Sequence, residues 1–209
     1  MIEVERILDI EQYLYGIDTV LFDLDDTLYS EKDYVKSGYC AIAKLFPEIE
    51  NMEKKLWTVF EKGGKAIDKV LQDEGLRDLN NKQTALHAYR LHTPKIHLYE
   101  GVSEMLMRIR ASHKTGIITD GRPEGQLAKI KALGLEEMVD EIIITDTLGG
   151  IEYRKPCSKA FTIMQNRMRT PYERMVYVGD NISKDFIAPQ KLGMRSIWVI
   201  NKNGLYFES

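Results

Sequence analysis

Five short runs of the chain are apolar or β-branched without a polar face: Thr19–Phe22 (TVLF), Thr115–Thr119 (TGIIT), Glu141–Thr145 (EIIIT), Met175–Val178 (MVYV) and Arg195–Ile200 (RSIWVI). Short, Ile- and Val-rich and largely continuous, they predict strands buried on both faces, as in a parallel sheet. Between the later runs the period changes to that of a helix. Leu127, Ile130 and Leu133 make one stripe, closed by Gly134; Phe161, Met164 and Met168 make another, opening after Pro156 and stopping before Pro171. The β-α-β-α-β order over the second half of the chain predicts a doubly wound α/β core. At the N-terminus, Ile2–Tyr15, with Ile7, Leu8 and Leu14, reads as a short helix packed on that core.

One long gap breaks the rhythm. After the first run, no strand-like segment occurs until the chain reaches Tyr99. Val35, Tyr39, Ile42 and Phe46 fall on one helical face, Met52, Leu56, Val59 and Phe60 on a second, and Ile67, Val70 and Leu71 on a third, with Gly63-Gly64, Gly75 and Pro94 as punctuation. A structureless loop of that length is uncommon, so the pattern predicts an inserted α-helical domain over 30–98, with 1–29 and 99–209 forming the core. It would sit above the carboxyl end of the first strand, where open α/β sheets bind ligands.

Composition removes several classes of function. A net charge of −3, with the basic stretches broken by acids, leaves no nucleic-acid footprint. No apolar run approaches the ~20 residues of a membrane span, and Glu3, Glu5, Asp9 and Glu11 interrupt what a signal peptide would keep apolar. Cys40 and Cys157, far apart and without a ligand pattern, fit free thiols in a reducing cytoplasm.

The chemistry gathers at the ends of the strand-like runs. The first ends in Asp23 and Asp25, inside LFDLDDTLY. The second ends in Thr119-Asp120-Gly121, Arg154-Lys155-Pro156 follows the third, and the fourth ends in Gly179-Asp180-Asn181, with Asp185 further on. In a parallel sheet these ends converge on one edge. Asp23 and Asp25, two apart, lie on one face of an extended segment, and two such acids need a counter-charge. A hard cation with Asp180 as a further oxygen ligand supplies it, and two or three acids with open water positions suit Mg²⁺ shared with a phosphate. Asp23 then serves as nucleophile and Asp25 as acid and base. Thr119, the backbone N–H groups of the Asp120-Gly121 turn and Lys155 would neutralise the phosphoryl oxygens.

The set D23-L-D25-D-T27-L, I-I-T119-D-G, R-K155-P and G-D180-N-I-S-K-D185 resembles the four motifs of the haloacid dehalogenase superfamily, in that family's order, from about residue 18 to the end. The resemblance implies a Rossmann-like core with a helical cap inserted after the first motif, Mg²⁺ dependence and an aspartyl-phosphate intermediate. It maps Asp23 to nucleophile and Asp25 to acid/base, the latter also lending its backbone carbonyl to the metal. Thr119 and Lys155 become phosphate binders, Asp180 a metal ligand, and Asp185 a ligand-shell or lysine-orienting acid. The acid at Asp25 resembles the phosphatase and mutase branches, not the dehalogenase branch. Asp120 departs from a more common Asn, and Ala188-Pro189 from a more usual small pair, the proline shortening or kinking its helix.

Alone, the acid cluster could be a solvated turn, Thr119-Asp120-Gly121 a turn and helix cap, and Lys155 a surface lysine; joint placement lifts them. The four histidines have no ligand spacing. The sequence therefore predicts a Mg²⁺-dependent phosphatase for a small soluble phosphomonoester, with a sugar-phosphate mutase and a non-catalytic phosphate-binding domain as alternatives.

Overall fold

The computed structural model describes residues 1–207. The chain forms two compact units, one from Met1–Glu31 and the chain from His97 onward, the other from Lys32–Ile96. The first holds a six-stranded sheet: β1 (Ile2–Val4), β2 (Thr19–Phe22), β3 (Lys114–Thr119), β4 (Glu141–Ile144), β5 (Met175–Gly179) and β6 (Arg195–Val199). Their order across the sheet is β1-β6-β5-β2-β3-β4, and every pairing is parallel. The chain runs outward from β2 through β3 to β4, then crosses back to place β5 on β2's other side. The topological switch point, where open sheets of this kind hold ligands, therefore lies between the carboxyl ends of β2 and β5.

Five strands fall where the apolar runs place them, because both faces are covered. Leu21, Ile118, Ile143 and Tyr177 pack with Phe161, Met164 and Met168 of a helix over Lys159–Met168, and with Ala188 of a short one over Ile187–Leu192. By alternation Val20, Phe22 and Ile117 face the other way, and they too are fully buried. Each such side chain contributes about 1.5–3 kcal/mol by leaving water. Pro189 sits inside the six-residue helix Ile187–Leu192, which stops at Gly193.

The N-terminus differs from expectation. Ile2–Val4 is an edge strand on β6, and Ile7–Tyr13 forms 3₁₀ turns in place of an α-helix. Three residues are too few to show a period, and the free edge of β6 decides their structure. The helical stripe on Pro123–Ala132 also differs. Leu127 is 53% exposed, and the helix turns Gln126, Lys129 and Ile130 inward.

The second unit contains α1 (Glu31–Ala43), which begins at the boundary, α2 (Met52–Glu61), α3 (Ala66–Asp73) and α4 (Leu79–Leu91). Its core unites Val35, Tyr39, Ile42 and Phe46 with Met52, Leu56, Val70 and Leu71. Asp78 caps α4, its carboxylate accepting the N–H of Asn81 at 2.9 Å. Among the described residues no helix is long and apolar enough to cross a membrane. The remaining helices, α5 (Val102–Arg110), α6 (Pro123–Ala132), α7 (Lys159–Met168) and α8 (Ile187–Leu192), belong to the sheet-bearing unit.

Candidate active site

Register sets the geometry. Phe22 pairs with Val178, and the N–H of Asp23 donates to the carbonyl of Val178 at 2.8 Å, so Asp23 leaves β2 beside the end of β5. Asp180 follows β5 directly, and Asp185 lies in the turns after it. Carboxylate oxygens of Asp23, Asp180 and Asp185 lie within 4.8 Å of one another. A Cβ on Gly179 would lie 2.5 Å from Oδ2 of Asp185, so only glycine lets that carboxylate approach.

Lys155 enters from the segment after β4 and is fully buried at its side chain. Its ammonium pairs with Asp23, with Asp185 at 2.8 Å, and donates to the Tyr177 hydroxyl at 2.9 Å. Burial works against that charge, yet Asp185 and Asp23 outweigh it and hold Lys155 well above the usual lysine range. Lys155, even with the weaker pull of Lys184, does not balance three acids. Burial first, then Asp185 and Asp25, push Asp23 up to about 7 against the pull of Lys155. Burial, Asp23 and Asp185 push Asp180 up to about 8.

The other acids have different work. Asp25 turns its carboxylate to Lys129 (2.6 Å), Gln126 (2.9 Å) and the Tyr29 hydroxyl. Burial raises its pKa, but Lys129 and these hydrogen bonds win and hold it down. Its side chain is outside the Asp23–Asp180–Asp185 group. Asp26, at φ 54°, is structural: its carboxylate accepts the N–H groups of Glu31 (2.9 Å) and Leu205 (2.7 Å), and Asn201 donates to its carbonyl. Asp120 ties loops together, accepting from Thr145 (2.9 Å), from the N–H of Lys155 (3.1 Å) and from Lys184 (3.1 Å). Thr119 is buried at the end of β3 and accepts from Gln126 at 2.5 Å. Gly121 follows with φ 144°.

All the sequence-predicted residues thus lie on the carboxyl edge of the sheet. Tyr29, Gln126, Lys129, Tyr177 and Lys184 were not assigned from sequence. The available signal was polarity in apolar register: Gln126 and Lys129, three apart, on the buried face of a helix, and a tyrosine within MVYV.

The donor set is all oxygen, which selects a hard cation such as Mg²⁺ over zinc or copper. Three carboxylates gather oxygens within 4.8 Å of one another while Lys155 pairs with two of them, so these residues fit a divalent ion.

These shifts have a pH consequence in metal-free protein. Asp23, Asp180 and Glu31, the last pushed up to about 8 by burial and then Asp25, hold protons more tightly folded than unfolded. Their contribution is fully present below about pH 4 and is lost as pH rises toward about 8. Asp25 and Asp120 shift the other way, and their contribution is lost only as pH falls below about 4. With chelator present, the melting temperature should therefore fall between about pH 5 and about pH 8. Saturating Mg²⁺ should remove most of that fall; a melting temperature that climbs with pH in chelator contradicts the electrostatics.

A parallel sheet of this order, with an acid pair after its first central strand and the remaining motifs at the neighbouring strand ends, defines a haloacid dehalogenase-like hydrolase. The family model of that description matches residues 20–199, and the chain belongs to the family. It is 28% identical to a glyceraldehyde 3-phosphate phosphatase of Methanocaldococcus jannaschii, over 88% of this chain and 85% of that protein. It is 23% identical to the pyrimidine 5'-nucleotidase YjjG of Escherichia coli, over 87% and 85%. Among solved structures, a haloacid dehalogenase-like family hydrolase from Xanthomonas campestris superposes with TM-score 0.60 at 20% identity, over 93% of this chain and 86% of that one. A 2-haloacid dehalogenase from Pseudomonas syringae gives 0.59 at 21%, over 92% and 90%, and shares the fold.

Proposed function

We propose that this chain is a Mg²⁺-dependent phosphatase that hydrolyses a small soluble phosphomonoester through an aspartyl-phosphate on Asp23. The observation that carries the reading is the meeting of Asp23, Asp180, Asp185 and Lys155 at the switch point, with a separately held Asp25 two residues from the nucleophile. Asp23, Asp180 and the backbone carbonyl of Asp25 would hold Mg²⁺, with Asp185 adjoining and orienting Lys155. The ion would supply positive charge against the phosphoryl oxygens.

In this reading the phosphoryl group rests against the Thr119 hydroxyl, the N–H groups of the Asp120-Gly121 turn and the Lys155 ammonium. An Asp23 oxygen bonds to phosphorus as the ester P–O bond breaks, and Asp25, which must first take up a proton against the pull of Lys129, gives it to the departing oxygen. Asp25, now a carboxylate, takes a proton from water, whose oxygen attacks phosphorus and breaks the bond to Asp23. The proton so gained serves the next leaving group, so one carboxyl alternates between base and acid. The helical insertion, 30–98, is assigned the role of cap in substrate selection. The two free cysteines accord with a reducing cytoplasm as the site of action.

The phosphatases and nucleotidase among the relatives suggest the panel: glyceraldehyde 3-phosphate, other sugar phosphates and pyrimidine 5'-nucleotides. Phosphate release should require Mg²⁺, and Ca²⁺ should support little of it, because its looser coordination misplaces the nucleophile. Mg²⁺ should also raise the melting temperature, because by mass action the bound ion adds about 2.7 kcal/mol of stability at a hundred times its Kd. Asp180→Ala should remove most of that gain. Metal-independent hydrolysis, or an Asp180→Ala protein that responds fully to Mg²⁺, would refute the metal assignment.

A further inference from the structure

We infer that Gln126 and Lys129 are positioning residues for the proposed phosphatase reaction: together they aim one oxygen of Asp25 and the hydroxyl of Thr119 at the reacting group. The inference rests on the reading above and goes further in assigning work to α6. Both side chains are almost wholly buried, at 3% and 4% exposure. An ammonium and an amide are costly to bury, and their hydrogen bonds show where the compensation lies.

A carboxylate offers about four lone-pair positions. On Asp25, Oδ1 accepts from Lys129 Nζ at 2.6 Å and from the Tyr29 hydroxyl. Oδ2 accepts from Gln126 Nε2 at 2.9 Å. Three positions are thereby occupied, and the one left, on Oδ2, has a fixed direction. Because a carboxylate only accepts, the nitrogen end of the Gln126 amide must face it. The second hydrogen of that nitrogen goes to Thr119 Oγ1 at 2.5 Å. The Thr119 oxygen thus acts as acceptor toward Gln126, which leaves its own hydrogen to donate elsewhere, as phosphate binding requires. One amide therefore couples the proton-transfer group to the phosphate-binding group.

Gly121 fits the same arrangement. A Cβ there would lie 3.0 Å from Cγ and Cδ of Gln126, at a φ of 144° that side chains rarely adopt. The glycine of the second motif makes room for Gln126 in addition to shaping the turn.

A merely structural cluster and a proton-aiming one differ in leaving-group dependence. An alkyl phosphate needs a proton delivered to its departing oxygen, whereas 4-nitrophenyl phosphate expels a weakly basic phenolate. The value of kcat/KM covers the reaction only through the first committed step, so it isolates this difference. Well-placed proton transfer typically contributes about 10²–10⁴-fold. In Lys129→Met and Gln126→Leu, kcat/KM for glycerol 3-phosphate, or the most active alkyl ester of the panel, should fall about 10²-fold. For 4-nitrophenyl phosphate the loss should stay below about tenfold. The ratio of the two values does not depend on how much of a variant is folded, so partial misfolding does not mask the result. An unchanged ratio in either variant removes that residue from the role. A wild-type protein inactive on both esters would end the phosphatase reading, and this inference with it.

Discussion

Asp23→Asn should lose turnover on the order of 10⁴-fold or more, the scale seen when a covalent nucleophile is removed, while the protein remains folded. The amide cannot form an acyl-phosphate. It can still accept from Lys155, which keeps its ion pair with Asp185 at 2.8 Å and its bond to Tyr177 at 2.9 Å. In wild type the carboxyl of Asp23 is pushed up to about 7, chiefly by burial, so its charge is unwelcome without a cation. Metal-free Asp23→Asn should accordingly melt at the wild-type temperature or above. Phosphate release and thermal melting on one preparation check both halves. Activity within tenfold of wild type in a folded sample would rule out the covalent route.

Lys155→Met is expected to do the opposite to stability. This ammonium is the direct ionic partner of both Asp23 and Asp185, and the side chain is fully buried. Removing one member of a buried charged cluster leaves the others uncompensated, at a cost of about 3–5 kcal/mol. For a chain of this size that is a fall of about 6–20 °C in melting temperature. Activity should fall with it, since the proposed reaction also uses Lys155 to hold the phosphate. Because Mg²⁺ can take over part of the neutralisation, it should recover more melting temperature in Lys155→Met than in wild type. The double variant Asp23→Asn/Lys155→Met should cost less than the single effects added, as expected of groups in contact. A Lys155→Met protein as stable as wild type in chelator would refute Lys155 as the charge that holds this buried cluster together.

The core strands were legible because burial on both faces writes itself as continuous apolar runs, and the motif acids because they follow those runs directly. Two kinds of feature were hidden. Ile2–Val4 carries no period in three residues and becomes a strand only because β6 offers an unpaired edge. On α6, Leu127 looks like core, yet it is 53% exposed while Gln126 and Lys129 are inside. Binary patterning assumes that polar side chains seek water; here their partner is Asp25, from a different part of the chain. Asp26 misleads in the reverse direction. It reads as one more acid in a chemical cluster, but its left-handed backbone and its bonds to the N–H groups of Glu31 and Leu205 make it a loop brace.

The strand order also bears on how the protein comes into being. Asp23 leaves the second strand to be synthesised, but its neighbour across the switch point belongs to the fifth, so the two meet only once Asp180 has been made and β5 has docked beside β2. Until then β2 has β3 on one side and an open edge on the other, and Asp23 can remain hydrated. Mutual repulsion among Asp23, Asp180 and Asp185 therefore belongs to the late stage of folding, after most of the apolar surface of β2, β3 and β4 has found cover. A nascent or partly folded chain would have no assembled centre and no reason to capture a cation, so binding of the proposed Mg²⁺ would report that β5 has paired with β2.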